Sequence, residues 1–343
     1  MENIEQVSII IPVYNAVKTI ERCLCSVMNQ TYSNIEIIIV NDGSTDETEL
    51  VIEQLKTCDT RIKIINKENG GPSDARNAGL YNANGKYLMF VDADDVISSE
   101  MVGTMVNCME AKKLDLAVCR IRKDISLDEK KGIRCSNRLE FLSKKDVLHN
   151  IKYLMDNEIF NAVCNKIYLL EKIKENHVSF NTMLDMGEDL QFNLAYIRNV
   201  SKMEVIPDEL YYYVTQDSYL TNKYRENMFR KRCVSTDLLV SFLKENGIDA
   251  NWALFFYMKL LYADVIQEIH FKTTVKKRYA IIKDNLESKQ IKKIFREYVP
   301  ENFYQRIMFW ILKSRNIYVI DFFSYGLYFF KKYFGKKIKR ASV

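Results

Sequence analysis

The chain has 343 residues, of which 48% are hydrophobic and 28% charged, and a formal net charge of +5. Those proportions exclude a disordered or fibrous chain, and the length allows one large domain with an appendage, because domains run to about 100–200 residues. The charge is unevenly divided: residues 271–343 hold 18 Lys and Arg against 5 Asp and Glu, a net of +13, which leaves −8 for residues 1–270.

The N-terminal stretch "MENIEQVSIIIPVYN" carries acids where a secretory signal has a basic segment, and Pro12 cuts its apolar run, so no such signal is predicted. Short apolar runs follow at 7–11 (VSIII), 35–40 (IEIIIV), 62–65 (IKII), 87–91 (YLMFV) and 114–118 (LDLAV). They are β-rich without strict polar alternation, as strands buried on both faces are, and helical patterns separate them. Ile20, Leu24, Val27 and Met28 recur at helical spacing, and Thr45 with Asp46 offers a cap for a helix carrying Leu50, Ile52 and Leu55. The alternation predicts an α/β fold with a mostly parallel sheet flanked by helices.

Residues 121–145 read as a charged connecting excursion, and 146–200 as mainly helical, interrupted by "NHVSFNTMLDMGEDLQF". "YYYV" at 211–214 reads as a short strand, and 224–300 as helices. The eight cysteines fit neither a disulfide framework nor paired C-x-x-C sites, and read as buried thiols of a reducing cytosol. His149, His177 and His270 read as surface or core residues, since three histidines give a zinc site little to work with.

Ligands of open α/β sheets bind beyond the carboxyl ends of the strands. There the sequence is polar: "PVYN", "NDGSTD", "NKENGGPSDARNAG" and "DADD" follow the first four runs. Asp92 and Asp94 form a D-x-D after a buried strand, and such hard oxygens suit Mg²⁺ or Mn²⁺ bridged to a substrate's phosphates. The same acids also suit a turn capping the next helix. Asp42 can accept hydrogen bonds from a base or ribose, or close an Asx-turn in "NDGSTD". Gly70 and Gly71 let backbone approach a ligand, and Arg76 offers a fork for a nucleotide or carboxylate, or a partner for Asp74.

"VSIIIPVYNAVKTIERCLCSVMNQTYSNIEIIIVNDGSTDET", "NGGPSDARNAGL" and "GKYLMFVDADD" resemble, in order and spacing, the nucleotide-sugar domain of the family 2 glycosyltransferases over about residues 6–120. The resemblance implies the GT-A fold, Rossmann-like, with a helical C-terminal extension. It implies that Pro12, Tyr14 and Asn15 line the nucleotide pocket, that Asp42 contacts the base and Arg76 supports the same end, and that Asp92 and Asp94 hold the metal, Asp92 also facing the donor. Pro72, Ser73 and Asp74 depart from the family pattern and leave the duty of Arg76 open.

Family members place a Glu-Asp pair before a helix in the acceptor half, which implies Asp189 as catalytic base and Glu188 as its supporting carboxylate or an acceptor contact; both acids also suit a cap on a helix beginning near Leu190. "CNKIYLLEKIKENHVSF" and "YYYVTQDSYLT" are similar to flanking segments in bacterial enzymes that build surface polysaccharides, which extends the likeness to about residue 222. Asn165 and Lys166 then orient an acceptor or lie on a helix surface.

The expected organisation is a glycosyltransferase domain at 1–222, with donor and acceptor halves dividing near 120, and a helical region at 223–343. The reaction implied is inverting transfer from a nucleotide sugar, UDP being the expected carrier, to a saccharide or lipid-linked saccharide. Rival readings are a catalytically silent nucleotide-sugar-binding scaffold and a sugar nucleotidyltransferase; the latter lacks its Gly-rich basic loop, since "PVYN" stands there. No phosphate-loop or dinucleotide fingerprint is present.

Residues 303–340 combine aromatics with lysines, and Lys313, Arg315 and Asp321 break any run of the roughly 18 or more apolar residues that a spanning helix needs. An interfacial amphipathic helix on the inner face of the cell membrane fits the pattern, as does a helix packed on the protein with a solvated basic end. The acidic first 270 residues argue against nucleic acid as a partner.

Overall fold

A computed structural model describes residues 4–123, 138–157, 159–184, 186–214, 224 and 226–341, the last stretch without side chains at 331 and 333–341. It separates into two compact units, Met1–Asn222 and Lys223–Val343.

In the first unit the N-terminal third winds as β1 (Val7–Val13), α1 (Ile20–Met28), β2 (Ile35–Asp42), α2 (Thr48–Cys58), β3 (Ile62–Lys67), α3 (Pro72–Asn82) and β4 (Tyr87–Phe90). β1 pairs in parallel with β2 and β4, and β2 with β3. Their carboxyl ends therefore share one edge of the sheet. Ile9, Ile10, Ile11, Ile37, Ile38, Ile39 and Val40 are fully buried, as expected of strands covered on both faces, and each contributes about 1.5–3 kcal/mol. Glu36 sits among them because Ser8 Oγ, the Asn84 amide and Lys63 Nζ all donate to it. The helix expected from Thr45 starts later, at Thr48: Asp46 Oδ1 accepts the Thr48 amide at 3.1 Å, while Leu50 stays exposed.

After β4 the chain runs through β5 (Val96–Ile97), α4 (Met101–Lys112), β6 (Leu116–Lys123), β7 (Leu139–Phe141), α5 (Lys144–His149), α6 (Ile151–Asp156), β8 (Lys166–Leu169), α7 (Leu170–Glu175), α8 (Glu188–Ile197) and β9 (Met203–Tyr213). The nine strands make one sheet in the order β3-β2-β1-β4-β8-β6-β9-β5, with β7 also paired to β9. The sheet is mixed: β8 is antiparallel to both β4 and β6, and β6 is parallel to β9.

Several expectations need correction here. Residues 121–123 belong to β6, 139–141 to β7 and 144–145 to α5 rather than to an excursion, and 124–137 lie outside the described residues. Residues 166–169 form a strand inside the stretch expected to be helical, so Asn165 and Lys166 are not on a helix surface; Lys166 is fully buried. β9 begins eight residues before "YYYV" and ends at Tyr213. Among the described cysteines, Cys25 and Cys58 are exposed, against the expectation of buried thiols, and the other five are buried.

The second unit is helical: α9 (Met228–Glu245), α10 (Asn251–His270), α11 (Val275–Leu286), α12 (Lys289–Glu297), α13 (Phe303–Lys313) and α14 (Ile317–Ala341). Helix α10 supplies much of its core through Tyr257, Met258, Leu261 and Val265. Thr274, Ser288 and Asn302 cap α11, α12 and α13 by accepting the amides of Lys277, Ile291 and Gln305. Asp321, one of the residues that breaks the apolar run of the tail, forms a buried two-pronged pair with Arg278 at 3.0 and 3.2 Å. With Ile320 and Ser324 also buried, the first part of α14 packs on the unit. Among the described residues no helix is long and apolar enough to cross a membrane.

Candidate active site

Every strand of the sheet that runs parallel to β1 ends at the edge where Tyr14, Asp42 and Asp92–Asp95 follow their strands. The antiparallel β8 presents its start there instead, which brings Asn165 and Lys166 to the same side.

On the β1–β2 side, Asn15 takes a left-handed conformation (φ 47°) and its Oδ1 accepts the Thr45 amide at 2.7 Å, while Ser44 Oγ accepts the Asn15 amide. The "PVYN" and "NDGSTD" loops are thereby joined, with Tyr14 half exposed above them. Asn41, not Asp42, closes the tight turn: its Oδ1 accepts the Ser44 amide at 3.1 Å. Asp42 is buried and clasps the next loop, accepting Lys67 Nζ at 2.7 Å, the Gly70 amide at 2.9 Å and the Gly71 amide at 2.8 Å. Lys67 also pairs with Asp74 at 2.6 Å, which answers the choice left open for that residue. Gly71 needs its φ of 86° to bring this amide in while leading into α3.

Arg76, on α3 and 6% exposed, meets carboxylates from two directions. One terminal nitrogen donates to Asp92 Oδ1 at 2.9 Å; the other lies 3.3 Å from Asp189 Oδ1 and 3.9 Å from Glu188 Oε1. Its described partners are thus the D-x-D and the Glu-Asp pair, not Asp42. Burial works against its charge, but the three surrounding carboxylates prevail and raise its pKa. For Asp189 burial prevails instead: desolvation, with Glu188 and Asp92 nearby, lifts its pKa to about 6 against the pull of Arg76 and Lys166.

The acids of "DADD" divide into different environments. Asp95 is wholly buried, accepts Tyr211 Oη at 2.6 Å and the Val214 amide at 3.0 Å, and is pushed up to about 8 by burial beside Asp92 and Asp94. Carboxylates this close repel one another, and the upward shift of Asp95 together with the pairing of Asp92 with Arg76 eases that repulsion. Arg22 holds the turn by donating to the Asp94 carbonyl at 2.7 Å.

Glu188 and Asp189 open α8 directly, two residues ahead of the expected start at Leu190. That helix is fixed from below by Phe192, which stacks on Phe180 at 4.3 Å and meets Phe90 and Tyr168 edge-on. Phe180 also lies under the Arg76 guanidinium, 5.4 Å from its centroid. Asn193 takes the Tyr168 hydroxyl and donates to the carbonyls of Phe160 and Ala162. Lys166 Nζ donates to Ile159 O, Ala162 O and Asn165 Oδ1 at 2.6, 2.5 and 2.9 Å, and burial lowers its pKa to about 8. Among these supporting residues only Asn165 and Lys166 stand out in the sequence as candidates. The aromatic spacing of Phe180 and Phe192 was the available signal, but partners so far apart in sequence are identified only by the fold.

Hard carboxylate oxygens at Asp92 and Asp94 suit Mg²⁺ or Mn²⁺. Among the described residues no three His, Cys, Asp or Glu side chains are arranged to hold an ion alone. A D-x-D fits an ion only where a substrate's phosphates complete its shell.

The model of the family described as "Glycosyl transferase family 2" matches residues 8–176. EpsJ of Bacillus subtilis, named an uncharacterized glycosyltransferase, is 34% identical over 218 residues, covering 63% of this chain and 62% of its own. The putative glycosyltransferase EpsH of the same organism is 30% identical over 243 residues, 70% of each chain. The chain belongs to glycosyl transferase family 2.

This family 2 chain thus spans less than two thirds of EpsJ. It is also 27% identical over 212 residues to the poly(ribitol-phosphate) β-N-acetylglucosaminyltransferase TarS of Staphylococcus aureus, covering 61% of this chain and 35% of TarS. The crystal structure of TarS 1–349 in complex with UDP superposes with a TM-score of 0.63 at 18% identity, covering 92% of this chain and 89% of that one. The family member therefore shares the fold of TarS, with a mixed, mostly parallel sheet flanked by helices and a helical C-terminal region.

Proposed function

We propose that this glycosyltransferase is an inverting, divalent-cation-dependent enzyme that moves a sugar from a UDP-linked donor to a hydroxyl of a saccharide or lipid-linked saccharide, in the assembly of a cell-surface polysaccharide. The observation that carries the reading is the Arg76 bridge, which brings Asp92 of the D-x-D and Asp189 of the Glu-Asp pair to one guanidinium from elements 97 residues apart. UDP is favoured because TarS, of the same fold, binds it.

On the donor side, Pro12, Tyr14 and Asn15 form one wall and Asp42 the floor. Asp42 uses three of roughly four acceptor positions of its carboxylate on Lys67, Gly70 and Gly71, which leaves one for a base N–H. Asp92 and Asp94 would hold Mg²⁺ or Mn²⁺, which when bound would supply charge stabilisation for the departing diphosphate. Asp189 accepts the proton of the acceptor hydroxyl, whose oxygen forms a bond to the anomeric carbon as the bond to the diphosphate breaks. One displacement inverts that centre. With a pKa of about 6, Asp189 is ionised by about ten to one at pH 7 yet basic enough to take a proton. Glu188 supports it from the same turn.

The protein works at the inner face of the cell membrane. Support comes from aromatic rows left uncovered in its C-terminal unit: Phe303 and Trp310 on α13 are 76% and 75% exposed, and Tyr318 and Phe322 on α14 are 69% and 80% exposed. Such side chains sit at the headgroup boundary while the basic tail meets anionic lipid.

The test is a panel of nucleotide sugars with short lipid-linked and free saccharide acceptors, read by mass spectrometry. Asp189→Asn is expected to lower turnover by about 10²–10⁴-fold while nucleotide binding survives. Unchanged turnover removes Asp189 from the role.

A further inference from the structure

The C-terminal unit holds a charged cleft lined by none of the residues assigned above to sugar transfer. Helix α12 has two faces. Ile291 and Ile294 are buried, whereas Lys289, Lys292 and Arg296 fall at i, i+3 and i+7 on the side away from them. Phe295 is half-buried between the two faces. Arg315, in the link between α13 and α14, lays its guanidinium 5.3 Å from the centroid of that ring. Lys289, Lys292, Phe295, Arg296 and Arg315 together line a cleft of about 500 Å³.

Four cations from two segments thus surround one concave space. The carboxylate paired with its lining is Glu287, 3.0 Å from Lys292 and 3.9 Å from Arg315. Lys289 and Arg296 have no carboxylate partner among the described residues. With Glu287 counted, the site keeps a surplus of three positive charges, held together by burial of the opposite face of α12. A solvated basic face relieves such repulsion by spreading its charges apart; here they line one open cleft, where a bound anion relieves it. The positive end of α12, at Lys289, adds to the attraction.

We propose that this cleft binds a phosphate group, as a monoester, diester or diphosphate. A guanidinium fork matches two phosphate oxygens, lysine ammoniums serve as point charges on the remaining oxygens, and four cations exceed what a single carboxylate needs. Phe295 braces Arg315 and gives the sugar, polyol or acyl chain attached to the phosphate an apolar wall. The inference does not depend on the transfer reaction.

The full chain is acylated with an amine-reactive reagent without divalent cation, in inorganic pyrophosphate or in chloride of equal ionic strength, and each lysine is read by mass spectrometry. Lys289 and Lys292 are expected to be protected at least threefold relative to Lys276 and Lys283, exposed controls on α11. The Arg296→Gln/Arg315→Gln variant, with its fold checked by circular dichroism, is expected to lose that protection. A parallel arm replaces pyrophosphate with phosphatidylcholine vesicles containing phosphatidic acid. Protection by pyrophosphate alone supports a soluble phosphate ligand, and protection by both supports a lipid headgroup. Equal labelling of all four lysines in pyrophosphate overturns the proposal, whatever the vesicles do, as does protection that persists in the variant. None of these readouts involves turnover, so failure of the transferase reading leaves the test intact.

Discussion

Replacing Arg76 by Gln tests the electrostatic design of the site most directly. The side chain is buried and stands within 4 Å of Asp92, Glu188 and Asp189. A neighbouring opposite charge lowers a carboxyl pKa by about 1–3. Without the guanidinium, Asp189 is expected to move from about 6 into the range of about 7–9. The proposed base acts when unprotonated, so raising its pKa shifts the onset of activity to higher pH. At pH 7 the ionised fraction falls from about nine-tenths to between about one-half and one-hundredth, a loss of roughly 2- to 100-fold that is recovered on raising the pH. The assay is kcat/KM against pH, which follows groups of the free enzyme. Breaking a buried charge network also costs about 3–5 kcal/mol, so thermal unfolding is followed in parallel, with Arg76→Lys retaining the charge without the fork. An acid limb that stays at about 6 in a folded Arg76→Gln protein would refute the reasoning, since the charge of Arg76 would then not set the protonation of Asp189.

Other outcomes are equally specific. Asp92→Asn and Asp94→Asn are each expected to abolish the cation-assisted part of nucleotide uptake in calorimetry; retention of the full effect in both would move the metal elsewhere. Lys166 has a folded pKa of about 8, below an unfolded value of about 10.4, so its burial penalises the fold fully below pH 8 and ceases to do so near pH 10. Wild type should therefore gain on the order of 3 kcal/mol relative to Lys166→Met across that window; a constant difference in unfolding free energy argues against the assignment. Trp310→Ser/Phe322→Ser should reduce flotation with anionic vesicles several-fold, and equal recovery of variant and wild type counts against membrane attachment.

The first 120 residues were legible because their information is local. A buried parallel strand announces itself by continuous β-branched residues, and the polar stretch after it occupies the end where ligands bind. Asp42, Asp92 and Asp94 could be picked out on those grounds. Residues 121–222 were less legible. "NKIYLLEKIK" has the length and composition of a helix, and only pairing with Tyr87–Met89 on one side and Leu116–Val118 on the other makes its first part a strand. A lysine in such a segment reads as solvated, yet Lys166 is buried because three oxygens from its own loop receive it.

By itself the sequence determined the repeated strand–helix order, the acidic and glycine-rich strand ends, the Glu-Asp pair and a basic, aromatic tail, since each is a property of neighbouring residues. Tertiary structure alone decided which charges meet. It gave Asp74 to Lys67, Arg76 to both acidic motifs and Asp321 to Arg278, and it buried Asp95 deeply enough to hold a proton near neutral pH. Ion pairing and desolvation depend on distance and burial, and those are set by residues dozens of positions away.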